Sequence, residues 1–192
     1  VVLIAAAKRQ SAAAVNAAIA AGVTDIGENY VQEAAEKQAA VTRPARWHMI
    51  GHLQRNKAKR AVEMFDMIQS VDGLDLGRAL GRQAETRKRP VSVLIEVNLG
   101  GEATKSGVEV EPLVELTANL RQVPFLDVQG LMTMPPPGPP ESSRPFFRRL
   151  RELCPELGLK ELSMAMTADF EVAVEEGATM VRVGTAIFGE RD

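Results

Sequence analysis

The feature that most constrains the fold is a series of short apolar segments, which alternate with stretches long enough to hold a helix. Eight segments of strand length follow one another: Val1–Ala7, Thr24–Ile26, Trp47–Ile50, Phe65–Gln69, Val91–Val97, Phe125–Leu131, Glu161–Ser163 and Thr179–Val183. Strict alternation of strand and helix predicts parallel strands with right-handed crossovers. Eight such units is the number that closes a (β/α)8 TIM-like barrel.

Helices are predicted in the stretches between these segments. The first begins at Ser11, a residue type that caps helix N-termini, and ends at Gly22. The others are predicted over Tyr30–Ala40, Arg55–Glu63, Leu74–Thr86, Val110–Arg121, Ser143–Cys154 and Phe170–Glu176. A strand that starts at Val1 would leave one side of the barrel uncovered, so we expect a leading helix that this sequence lacks.

The chain is short for a barrel. Its 192 residues compare with about 250 in a typical (β/α)8 barrel, so its helices and loops must be near their minimum length. A doubly wound open sheet is the structural alternative, but no G-x-G-x-x-G turn follows the first strand, which disfavours its dinucleotide-binding version. We find no linker with a composition change on both sides, and we predict one α/β domain over residues 1–192.

Composition excludes several classes of protein. A net charge of −2 provides no surplus of cations for binding nucleic acid. The single cysteine, Cys154, excludes a disulfide framework and a thiolate zinc cluster. The apolar runs are far shorter than the ~18–20 residues that cross a bilayer, and no signal peptide is visible. We therefore expect a cytoplasmic protein that binds neither membrane nor nucleic acid.

In a barrel, functional side chains gather where the strands end. Lys8 follows an apolar run, and a partly desolvated lysine favours the neutral amine that attacks a carbonyl to form an imine. A lysine that merely reaches solvent is the simpler reading. Gly184 and Thr185 follow the last strand, at a place where barrels commonly bind phosphate. Ser163 and Thr167 add hydroxyls in the preceding loop, while Asp169 is predicted to cap the helix that begins at Phe170.

The two histidines, His48 and His52, flank the end of the third strand. A metal site would need a third ligand at matched spacing, and none is evident, so no metal is predicted. We expect a structural or ring-contacting role for His48 and a solvent-facing role for His52.

These motifs together resemble the pyridoxal phosphate homeostasis proteins, an alanine racemase N-terminal-domain-like family, along essentially the whole chain. The matching blocks are Leu3–Lys8, Gly27–Glu33 (GENYVQE), Trp47–Lys57 (WHMIGHLQRNK), Val97–Gly107 ending in TKSG, Gly130–Thr133 (GLMT) and Ser163–Gly189. The resemblance implies the barrel of fold-type III pyridoxal phosphate (PLP) enzymes without their C-terminal β domain.

The resemblance also implies a set of cofactor contacts. Lys8 would hold PLP as an imine, and Arg182 would approach the pyridine nitrogen. The phosphate would be bound by Ser163, Thr167, Gly184 and Thr185, with backbone help from the turn that begins at Met164. The ring would be lined by Asn29, His48 and Met49.

Several departures from the family pattern affect these expectations. The usual serine before the lysine is Ala7, and the usual phenylalanine after the histidine is Met49. The loop usually written SMGMS reads SMAMT, so Ala165 would be disfavoured if this position has positive φ. Lys105 is a further lysine that could hold a second, weaker aldehyde.

Two functions are consistent with such a site. The first is a monomeric PLP homeostasis protein, without turnover of its own, that stores or delivers the cofactor and affects amino-acid and keto-acid balance. Its partners would be PLP and apo PLP-dependent enzymes. The alternative is a PLP-dependent racemase or decarboxylase. A two-base racemase needs a second proton donor from a further domain, which we do not expect here, and the only tyrosine is Tyr30. A cofactor-sensing partner protein is a third hypothesis.

Overall fold

A computed structural model describes residues 1–102 and 106–189. Its eight strands are all parallel, and β8 pairs with β1 to close the barrel. The strands are β1 (Val2–Ala6), β2 (Asp25–Glu28), β3 (Arg46–Met49), β4 (Met67–Val71), β5 (Val91–Glu96), β6 (Leu126–Met132), β7 (Glu161–Met164) and β8 (Met180–Val183). The predicted (β/α)8 barrel is confirmed, and the open sheet was the wrong alternative.

Helices follow the strands and cover the outside of the barrel. They are α1 (Ala12–Ala20), α2 (Val31–Ala40), α3 (Ala58–Met64), α4 (Leu74–Thr86), α5 (Leu113–Arg121), α6 (Arg144–Glu156), α7 (Phe170–Glu175) and α8 (Thr185–Phe188), with 3-10 turns at Arg55–Lys57 and Pro140–Ser143. Within the described residues, no helix combines the length and apolar character that crossing a bilayer requires.

The element boundaries differ from the sequence prediction where helix ends lie close to strand starts. The predicted fourth strand began at Phe65, but the Phe65 N–H donates to the Ala61 carbonyl and so ends α3. The strand consequently starts at Met67 and extends to Val71. The predicted helix that ended at Cys154 also differs, because α6 continues through Pro155 to Glu156. Apolar character alone does not distinguish a buried helix end from a strand.

The barrel has two apolar regions. Inside it, a small cluster comprises Ile4, Met67, Leu94, Met132 and Met180. Between the strands and the helices lies the larger core, which includes fully buried Phe147 and Leu150 of α6. Side chains alternate between these regions along each strand because successive residues point to opposite faces.

Glu96 ends β5 on the same strand face as Leu94, and its side chain therefore points into the barrel. The residue is only 3% exposed, and its Oε2 atom has no hydrogen-bond partner among the described residues. Burial and the nearby Asp72 carboxylate raise the pKa of the Glu96 carboxyl from 4.5 to about 7, while Arg182 opposes the shift.

Replacement of Glu96 by glutamine should stabilise the protein at alkaline pH. The folded chain holds the Glu96 proton more tightly than the unfolded chain, so the free energy of unfolding falls as pH rises from 4.5 through about 7. Glu96→Gln should therefore raise the free energy of unfolding by about 3 kcal/mol at pH 8.5 and much less at pH 5, measured by urea denaturation. Glu63→Gln, on the exposed side of α3, is the control. Equal effects of Glu96→Gln at both pH values would contradict this account.

Candidate functional site

A cavity of about 430 Å³ lies at the carboxyl-terminal end of the barrel. Six of the predicted site residues line it: Lys8, Asn29, Thr167, Arg182, Gly184 and Thr185. The rest of the wall consists of Ala6, Ile50, Met134, Met166 and Ala168. Closure of the barrel between β8 and β1 brings the end of the chain beside Lys8.

Lys8 presents a primary amine to this cavity. The residue is half-buried, and its Nζ lies 5.2 Å from the centroid of the Tyr30 ring, which gives a cation–π contact. No ion pair holds this ammonium group among the described residues. Within the described part of the chain, no carboxylate therefore balances the charge of this amine.

The backbone on both sides of Lys8 is held by charged side chains of α2. Lys37 Nζ donates to the carbonyl of Ala7 at 2.5 Å and pairs with Glu28 Oε1 at 2.6 Å. Glu33 Oε2 accepts from the N–H of Arg9 at 2.9 Å. Burial raises the pKa of the Glu28 carboxyl, although Lys37 opposes that effect. These contacts fix the loop that presents the amine.

Sequence reasoning missed this support of the Lys8 loop, although it contained a signal. Glu33 and Lys37 have the i,i+4 spacing of an ion pair on a helix, and their Oε2 and Nζ atoms are 3.4 Å apart. That spacing is common on solvated helix faces. Only the fold shows that Lys37 is buried beside Glu28 of β2 and the Ala7 carbonyl.

The edge of the cavity formed by α8 offers hydrogen-bond donors. Thr167 Oγ1 accepts from the N–H of Gly184 at 3.0 Å, which joins the loops after β7 and β8. Within residues 1–102 and 106–189, the N–H groups of Thr185 and Ala186 have no acceptor. Free N–H groups beside threonine hydroxyls are suited to phosphate oxygens.

The turn after β7 differs from one prediction. Asp169 precedes α7, but its side chain does not cap that helix. Its Oδ1 instead accepts from the N–H of Met166 at 2.8 Å, because the turn folds back over the carboxylate. Ala165 has φ of 69°, which is the left-handed conformation that disfavours a residue with a Cβ atom.

Four predicted site residues lie outside the lining of this cavity. His48 and Ser163 point into the barrel, where they are almost fully buried. Met164 packs in the outer core, and Met49 lines a neighbouring cavity of about 340 Å³ that shares Asn29. Successive side chains of a strand point to opposite faces, so His48 and Met49 of β3 are separated, and so are the two residues of β7. None of these four side chains lines this cavity, although Met166 of the turn that begins at Met164 does, and their predicted contacts with the ring and the phosphate stay predictions.

Arg182 joins the cavity to the barrel interior. Its Nη1 donates to Ser163 Oγ, and its Nη2 donates to the carbonyl of Thr133 at 2.8 Å. Burial lowers the pKa of the Arg182 guanidinium to about 10, while the Glu96 and Asp169 carboxylates oppose the shift. The group thus keeps its charge at neutral pH.

The remaining candidates lie away from the cavity. His52 is half-exposed, with Nδ1 3.4 Å from Asp72 Oδ2. The described residues contain no cluster of three or more potential metal-ligating histidine, cysteine or carboxylate side chains. Thr104 and Lys105, of the TKSG block, lie outside the described residues.

The sequence of this chain is similar to those of proteins from one family. Residues 2–192 match the family model of the alanine racemase N-terminal domain. The chain is 45% identical over 194 residues to the pyridoxal phosphate homeostasis protein of Pseudomonas aeruginosa, covering 99% of this chain and 84% of that protein. It is 47% identical to the protein of that name from Aquifex aeolicus, covering 88% and 78%.

Solved structures have the same fold. PipY of Synechococcus elongatus, solved with PLP bound, superposes with a TM-score of 0.91 at 39% identity, covering 97% of this chain and 92% of that one. An alanine racemase of Clostridium difficile has a TM-score of 0.78 at 14% identity, covering 98% and 52%, and shows the fold alone. The chain belongs to the pyridoxal phosphate homeostasis protein family, which has the barrel fold of the alanine racemase N-terminal domain.

Proposed function

We propose that this chain binds pyridoxal 5′-phosphate through an imine at Lys8 and stores or delivers the cofactor without turnover of its own. The observation that supports this best is the shared cavity, in which one primary amine faces two loops that offer hydroxyls and free N–H groups. An aldehyde that also bears a phosphate matches both features. Through cofactor supply, the protein would affect amino-acid and keto-acid balance.

The relatives support the same function. The similar proteins of Pseudomonas aeruginosa and Aquifex aeolicus are named pyridoxal phosphate homeostasis proteins, which is not the name of an enzyme. PipY was solved with PLP bound. At this level of identity, a shared ligand is the simplest expectation.

We assign roles only to residues that line the cavity. Lys8 supplies the amine, and Thr167, Gly184 and Thr185 bind the phosphate through hydroxyl and peptide N–H groups. Arg182 directs its unused N–H groups to the ring nitrogen, while Asn29 borders the ring. PLP, when bound, supplies an aldehyde carbon and an electron-withdrawing ring.

Arg182 would weaken the electron sink that a bound cofactor provides. The resemblance that places an arginine at the ring nitrogen is to alanine racemase, so this residue does not by itself separate a carrier from a racemase. A guanidinium beside the ring nitrogen disfavours protonation of that nitrogen, because two positive charges would lie in contact. An unprotonated ring withdraws electrons less strongly, so it stabilises a substrate carbanion less well.

The recipients of the cofactor in this proposal are apo PLP-dependent enzymes. The proposal also includes that the protein is a monomer in the cytoplasm.

Lys8 should be the site of covalent attachment. After addition of PLP, reduction with borohydride and peptide mapping by mass spectrometry should locate the adduct on Lys8, and Lys8→Ala should abolish the visible imine absorbance. Lys57→Ala is the matched control, because Lys57 lines the neighbouring cavity. Modification of Lys57 or Lys105, with Lys8 left free, would overturn the assignment.

The loaded protein should not catalyse proton exchange at the α-carbon of amino acids. Racemases break the bond between the α-carbon and its hydrogen, and α-decarboxylases introduce a solvent hydrogen at that carbon. Incubation with L-alanine, L-lysine or L-ornithine in D2O should therefore give no more deuterium than free PLP gives, as measured by NMR. Lys8→Ala serves as the control for adventitious exchange. Rapid deuteration that is lost in Lys8→Ala would establish the enzyme alternative.

A further inference from the structure

A row of buried polar side chains crosses the barrel interior beneath the cavity. Its members come from five different strands: Asp25 of β2, His48 of β3, Gln69 of β4, Ser163 of β7 and Arg182 of β8. None is more than 4% exposed. The same interior also holds an apolar cluster, so polar side chains are not a general requirement of this space.

Hydrogen bonds join these side chains into one chain. Arg182 Nη1 donates to Ser163 Oγ, which in turn donates to Gln69 Oε1 at 2.6 Å. Gln69 Nε2 is 3.1 Å from His48 Nδ1, and His48 Nε2 is 2.8 Å from Asp25 Oδ1. One end of this polar chain is thus a cation that lines the cavity, and the other end is a carboxylate.

The order of donors and acceptors follows from the chemistry of the two ends. A guanidinium only donates, so Ser163 accepts from Arg182 and has its single proton left for Gln69. The Gln69 amide therefore presents its NH2 group to His48 Nδ1, which must be the unprotonated nitrogen. His48 then carries its proton on Nε2, where a carboxylate accepts it. Each member has one defined orientation.

This polar chain fixes the position of the Arg182 guanidinium. Within the described residues, no carboxylate lies within 4 Å of its guanidinium; its two bonded partners are the Ser163 hydroxyl and the Thr133 carbonyl. A hydroxyl fixed from behind by Gln69 holds the guanidinium in place, whereas a hydroxyl without that acceptor can rotate. Because Arg182 lines the cavity, the N–H groups that remain are available to a ligand there.

We propose that Gln69 and His48 are positioning residues for cofactor retention, which fix Arg182 through Ser163 although neither of them lines the cavity. The inference rests on the proposed function, because it takes PLP as the ligand that Arg182 contacts. It assigns to His48 a role behind the site instead of the ring contact suggested by the resemblance.

Substitution of Gln69 tests this assignment in the full chain. Gln69→Met removes the hydrogen bonds that Gln69 makes with Ser163 and His48. Arg182 is then no longer fixed, and the rate of PLP dissociation should increase about tenfold, the effect expected when a charged group loses one hydrogen bond to its ligand. The rate is measured as decay of the imine absorbance after dilution. Gln129→Met, near the opposite end of the barrel, is the matched control and should leave the rate unchanged.

Gln69→Glu distinguishes positioning from a merely structural role. A carboxylate can accept from Ser163, but it needs a proton on His48 Nδ1 to complete the polar chain. His48 would then lie between the new carboxylate and Asp25, which favours the charged imidazole. Arg46 and Asp66 also act on His48 from the protein surface, and they are the same in both proteins. Retention should thus be near that of the wild type at pH 6 and about tenfold weaker at pH 9.

Observation of His48 in the wild-type protein tests the same proposal without a variant. The sequence has two histidines, so 15N NMR of labelled imidazoles gives two sets of signals, which His52→Gln assigns. His48 should show a proton on Nε2 alone, and addition of PLP should shift its ring signals.

The outcomes separate this inference from the proposed function. Failure of the wild type to bind PLP would overturn the proposed function. If the wild type bound PLP normally but the ring signals of His48 did not change, the present inference would be overturned. The inference would also be overturned if folded Gln69→Met retained PLP normally, or if retention by Gln69→Glu did not depend on pH beyond the wild type.

Discussion

Closure of the sheet between its first and last strands is the constraint on which the rest of the structure depends. Leu3 of β1 is in register with Val181 of β8, so Lys8 and Gly184 follow neighbouring strands at the same end of the barrel. Residues separated by nearly the whole sequence thereby form one cavity. An open sheet with β1 and β8 at separate edges would not place an amine beside the loop after β8.

Charges near this cavity are balanced in two different ways. Below Lys8, Lys37 and Glu28 form a close buried pair, and removal of Lys37 would leave the buried Glu28 carboxylate without its paired cation. Arg182, by contrast, is bonded to neutral groups, and the Glu96 and Asp169 carboxylates act on it without forming an ion pair. The first arrangement fixes backbone, while the second leaves a cation free to act on a ligand.

Sequence periodicity predicted the barrel well because each strand and helix is specified locally. It also predicted the residues that face the cavity from loops, such as Lys8 and Thr185, since strand ends meet at one face. It could not decide the direction of side chains within a strand. His48 and Met49 are adjacent in a motif, yet one points inward and the other outward. Gln69 gave no signal, because a single polar residue in an apolar strand has several explanations.

The turn after β7 shows how the fold tolerates a residue that local preference disfavours. Ala165 adopts a left-handed conformation, which costs a residue with a Cβ atom about 1–2 kcal/mol. Two hydrogen bonds on either side of the turn oppose this cost: Asp169 binds the Met166 N–H, and Thr167 binds the Gly184 N–H. The second of these bonds joins the loops after two strands, so relaxation of Ala165 would disturb the α8 edge of the cavity as well as the turn. Strain at this position is therefore retained by the same contacts that shape the cavity.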